Sequence, residues 1–115
     1  MSDDGGHYLY RMMRDPADDE AANVSDIGSD VRIMFTVHDD AAPAIGGGLR
    51  CGLIVSHRAP DGRECGGSVT FGNAPASLHG PRWQVEQWEP LTISPSIRCD
   101  CGWHGFIRDG RWIPA

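Results

Sequence analysis

The chain has 115 residues, the length of one small domain, and its 15 Gly and 8 Pro predict many turns and short elements. It holds no apolar run long enough to cross a membrane as a helix. The net charge of −6 is unevenly placed. Residues 1–47 carry three arginines against ten acids, and residues 48–115 carry seven against six. General binding to a phosphate backbone is therefore disfavoured. A basic, apolar, small-residue start is missing too, which predicts a protein that is not exported by a signal peptide. The default expectation is an intracellular protein.

Residues 1–30 read as an acidic, extended arm, flexible or ordered by a partner. "DPADDEAANVSDIGSD" (15–30) has six acids and little apolar content to offset its ordering entropy. A short helix around Asp18–Asn23 is compatible with this stretch. Residues 31–115 then read as a small β domain. "VRIMFTVH" (31–38) alternates Val31, Ile33, Phe35 and Val37 with more polar neighbours, the period of a half-buried strand. "LRCGLIVSH" (49–57) puts Leu49, Cys51, Leu53 and Val55 on one face. The Pro-Asp-Gly turn at 60–62 joins it to "SVTF" (68–71) as a hairpin. "RWQVEQWE" (82–89) places Trp83 and Val85 together. "LTISPSIRC" (91–99) is extended, with Pro90 and Pro95 confining it to an edge or bend. "GFIRDGRWI" (105–113) reads as two short strands joined by a type I′ turn at Asp109-Gly110. The fold class expected is mainly β, with short antiparallel strands and a C-terminal hairpin.

Four cysteines sit at 51, 65, 99 and 101. In a reducing compartment such residues point to metal more than to disulfides. Cys99 and Cys101 lie two apart, so an extended backbone turns both thiols to one side. His104 follows as C-x-C-x2-H, with Gly102 able to turn the chain back. The metal candidates are Cys51, Cys65, Cys99, Cys101 and His104, five residues for four tetrahedral places. Cys51, Cys65 and Cys101 rank first, followed by Cys99 or His104. Zinc is the natural occupant of such a set, as a structural staple. The competing reading makes Cys51 and Cys65 small buried hydrophobes and His104 a hydrogen-bonded core residue. His7, His38, His57 and His79 read as surface residues. A Cys101–His104 nucleophilic pair is conceivable. No nucleophile elbow, phosphate loop or H-E-x-x-H pattern occurs, and no catalytic residue is assigned.

The stretch "LTISPSIRCDCGWHGFIRDGRW" (91–112) resembles a group of small proteins from tailed phages and prophages, with bacterial relatives. The resemblance rests on Trp88, Pro95-Ser96-Ile97, and His104-Gly105-Phe106-Ile107 with Gly110. Some members carry the label ammonia monooxygenase, which does not suit a chain without a membrane span. Many relatives have a close Cys-Pro-x-Cys pair, whereas Cys51 and Cys65 stand apart here. The resemblance implies a phage context, with the protein in the host bacterial cytoplasm or in a virion.

The first expected function is a phage-encoded, zinc-stabilised β module that binds another protein, without catalysis. One alternative is a nucleotide or small-molecule binder, such as a defence-signal sponge, using Arg98, Arg108 and Arg111 beside Trp103, Phe106 and Trp112. A second is a metal-dependent hydrolase or nuclease centred on His104.

Overall fold

The structure is a computed structural model that describes residues 3–18 and 21–115. The main sheet holds four antiparallel strands in sequence order: β1 (Val24–Asp26), β2 (Arg32–Val37), β3 (Arg50–Arg58) and β4 (Glu64–Thr70). A two-stranded sheet follows, β5 (Gln84–Gln87) with β6 (Thr92–Ser94). The chain ends in a three-stranded sheet of β7 (Ile97–Arg98), β8 (His104–Arg108) and β9 (Arg111–Pro114). The fold is thus mainly β and antiparallel, as the alternating stretches predict.

One apolar core joins the sheets. Ile33, Leu53, Val55 and Val69 come from the main sheet, and Ile93, Ile97, Ile107 and Trp112 from the others. Burying this surface is the main stabilising term for such short strands, which are marginal when isolated. The C-terminal hairpin turns at Asp109 (φ 50°) and Gly110 (φ 74°), the positive pair that a type I′ turn requires. The Trp112 amide donates to the Ile27 carbonyl (2.9 Å), which ties β9 to the β1–β2 turn.

The N-terminal segment corrects one expectation. Asp3–Arg14 forms a helix, α1, packed on β3 and β4, where the composition predicts an extended arm. Tyr10 and Met13 are buried, and Leu9 and Met12 are half-buried, so one face is apolar at helical spacing. Arg14 donates from Nε to Ser56 Oγ (3.0 Å) and pairs with Asp30. That guanidinium holds the Asp30 carboxyl below the usual carboxylate range. The acids at 15–30 lie outside this helix, whose short apolar stripe is enough to dock it. Of the helix suggested around Asp18–Asn23, Ala21–Asn23 forms a single 3₁₀ turn, and Asp19 and Glu20 lie outside the described residues.

Gly105 shows how tightly the last sheet is packed. A Cβ there would stand 2.4 Å from the Trp112 indole and 2.5 Å from the Ile113 carbonyl oxygen. Gly105→Ala is therefore expected to destabilise the protein by about 1–3 kcal/mol. Thermal denaturation should show this as a fall of roughly 4–12 °C in Tm. An unchanged Tm would mean that the sheet is looser than described.

Candidate functional site

The β3–β4 hairpin sets the first half of the site. Its register pairs His57 with Cys65. Residues directly opposite in an antiparallel pair project to the same side. His57 also continues the buried face of β3, two residues after Val55. The second half comes from the turn between β7 and β8. There the Cys99 amide donates to the Trp103 carbonyl (2.8 Å), and the Gly102 amide donates to the Cys99 carbonyl (2.9 Å). Gly102 takes φ 96°, a conformation that favours glycine.

This turn brings Cys99 and Cys101 against the hairpin. A ligand atom from each of His57, Cys65, Cys99 and Cys101 lies within 4.8 Å of the others. The Cys65 and Cys99 sulfurs are 3.7 Å apart. His57 is fully buried. Its Nδ1 lies 3.1 Å from the Arg58 carbonyl, which can only accept, so Nδ1 carries the proton. Nε2 then presents a lone pair, and it is buried with no hydrogen-bond partner. Leaving such an atom unsatisfied is costly. Burial lowers the His57 pKa and keeps the imidazole neutral. Burial, reinforced by the neighbouring Cys99 thiol, pushes Cys65 up to about 12. Burial also raises Cys99. Three thiols and a neutral imidazole with a free lone pair can hold a metal ion.

Two members of the sequence-derived ligand set lie elsewhere. Cys51 is buried with Ala41 and Ala74 in a separate small cluster. The Phe71 amide donates to the Cys51 carbonyl (2.8 Å), at the opposite end of the hairpin from Cys65. A ligand set holding both Cys51 and Cys65 is therefore not formed, because the hairpin register puts His57, not Cys51, opposite Cys65. His104 is also outside the cluster: its Nε2 is 2.9 Å from Ser96 Oγ. It is therefore not paired with Cys101. His57, read from the sequence as a surface residue, takes the fourth place. Its signal was available, because it extends the Cys51, Leu53, Val55 alternation.

The Ser96–His104 contact is the second chemical feature. Ser96 lies just before β7, and His104 begins β8 opposite Arg98. Both side chains are half-buried. Trp83 Nε1 donates to the Ser96 carbonyl (3.2 Å) and so fastens the serine backbone. Trp83 also lines an open cleft of about 440 Å³ with Phe71, Arg82, Val85 and Trp88. Among the described residues, no carboxylate hydrogen-bonds to His104. A serine hydroxyl on a histidine Nε2 is the arrangement of an activated nucleophile with its general base. Of the arginines proposed for a nucleotide site, Arg108 lies over the Phe106 ring (4.3 Å), and Arg98 and Arg111 are exposed.

Residues 50–115 match the family model BubE, described as bacterial ubiquitination-like system serine protease. The match covers more than half of the chain, and the chain belongs to this family. No curated protein and no solved structure matches it. The family overturns the expectation of a phage-encoded, non-catalytic binding module. It gives no support to a nucleotide sponge or to a metal-dependent nuclease. Among the described residues, no helix is long and apolar enough to cross a membrane.

Proposed function

We propose that this chain is a serine protease that works within a bacterial ubiquitination-like system, with Ser96 as nucleophile and His104 as general base. The observation that carries the reading is the 2.9 Å approach of Ser96 Oγ to His104 Nε2 inside the matched segment. Ser96 Oγ attacks the acyl carbon of a protein substrate while its proton passes to His104 Nε2. The tetrahedral adduct collapses as His104 returns that proton to the leaving group. Water, deprotonated by the same imidazole, then releases the acyl group from Ser96. Ser56 is a poorer candidate, because it is fully buried and accepts from Arg14.

A test is the hydrolysis of p-nitrophenyl acetate followed from the first turnover. The expected result is a burst of p-nitrophenolate of about one per chain, then a slower steady rate, because the acyl-enzyme accumulates. A linear trace at the uncatalysed rate would oppose the reading.

The same proposal assigns a structural zinc ion to His57, Cys65, Cys99 and Cys101. A tetrahedron with Zn–S bonds of about 2.3 Å has S···S edges of about 3.8 Å, and Cys65 and Cys99 stand 3.7 Å apart. Four protein ligands leave no open position, which suits a staple and not a catalytic metal. The ion would join the main sheet to the C-terminal sheet.

A further inference from the structure

The metal cluster and the Ser96–His104 pair share one short loop. Ser96 precedes Cys99 by three residues, and His104 follows Cys101 by three. Strand β7, which separates Ser96 from the turn, is only Ile97–Arg98. Its ladder with β8 consists of Ile97 opposite Gly105 and Arg98 opposite His104. So short a ladder is marginal by itself, yet it sets the distance between hydroxyl and imidazole. The other two cluster residues sit on long strands. His57 and Cys65 face each other in the register of β3, a nine-residue strand, and β4, a seven-residue strand. A stack adds a lateral hold. The His57 ring lies on Trp103 at 3.8 Å and 6°, and Trp103 lies on Trp112 at 3.8 Å and 7°. Trp103 is the residue before His104.

We infer that the His57–Cys65–Cys99–Cys101 centre is a positioning device for hydrolysis: its cation clamps the turn between Ser96 and His104 to the main sheet and thereby sets their spacing. The inference rests on the reading of Ser96 and His104 as nucleophile and base. The centre does not touch substrate. It acts through the backbone of residues 97–103 and the Trp103 stack. Hydrolytic competence then depends on metal occupancy, although the chemistry is metal-free. Contacts of this kind must hold to within about 0.5 Å to be productive.

The test compares zinc-loaded, chelator-stripped and cadmium-loaded full-length protein. The readouts are metal content, circular dichroism, and the rate at which a fluorophosphonate probe labels Ser96. Whatever fraction of the stripped protein stays folded should label roughly 10- to 100-fold more slowly and recover when zinc is returned. Its kcat on p-nitrophenyl acetate should fall while KM holds. If stripping unfolds the chain, the cadmium form decides. Its longer metal–sulfur bonds shift the turn, and a folded cadmium form should label several-fold more slowly. Trp103→Leu with full zinc content should do the same. Equal labelling of folded zinc and cadmium forms, with Trp103→Leu unaffected, would overturn the inference while leaving the hydrolytic reading intact. No labelling at Ser96 in the zinc form would defeat that reading, and the inference with it.

Discussion

Replacing Ser96 by alanine is expected to lower kcat for ester and peptide hydrolysis by a factor on the order of 10⁴ or more, with the fold preserved. His104→Ala should cost a comparable factor, and the double variant should be little slower than either single one. Groups that act as one unit lose their rate together. The fold should survive because Ser96 is half-buried and its hydroxyl meets His104, outside the apolar core. Trp83 would still hold the backbone carbonyl of residue 96. Steady-state kinetics with circular dichroism checks both parts. A Ser96→Ala protein with wild-type kcat would remove Ser96 from the mechanism. Additive losses in the double variant would separate the roles of the two residues.

The second large effect concerns the metal cluster. Cys65→Ala or Cys99→Ala is expected to abolish stoichiometric zinc binding and to leave the chain largely unfolded near room temperature. A closed zinc site contributes on the order of 10 kcal/mol to a small metallo-domain. That is comparable with the whole net stability of a domain this size. Cys51→Ala is the informative control. Cys51 is buried apart from the cluster, so this variant should keep its zinc and lose only the small packing contribution of one sulfur. Zinc should also leave as the pH falls, because protons compete for the thiolates. In the metal-free protein burial pushes Cys65 up to about 12, so binding must displace its proton. Metal analysis and thermal denaturation of the three variants decide the matter. Zinc retained in Cys65→Ala but lost in Cys51→Ala would restore the set first read from the sequence.

Local pattern carried much of the fold. The alternation in 31–38 and 49–57 became β2 and β3, and Asp109-Gly110 became the positive-φ turn of the last hairpin. The spacing of Cys99 and Cys101 pointed to thiols that converge, but by an extended backbone; they sit instead in a tight turn closed by the Gly102 amide on the Cys99 carbonyl. Register was legible too: a hairpin turning about Asp61 puts residue 57 opposite residue 65, and His57 faces Cys65. Cys51 opposite Cys65 would need the turn three residues earlier, where no Pro, Asp or Gly stands. His57 was legible on the same grounds, since it continues the Cys51, Leu53, Val55 alternation onto the buried face. Ser96 carries no local mark of a nucleophile: its partner His104 opens β8, and spacing alone does not show that the two side chains meet. The N-terminal helix shows the opposite failure, where net acidity masked the apolar stripe of Leu9, Tyr10, Met12 and Met13.

The most direct measurement is peptide mapping by mass spectrometry after brief exposure of the zinc-loaded protein to a fluorophosphonate. Such a probe phosphonylates only a serine made nucleophilic by its surroundings. The account predicts one adduct per chain, located on Ser96 and lost in His104→Ala. An adduct on any other serine, or one on Ser96 that persists undiminished in His104→Ala, would contradict it.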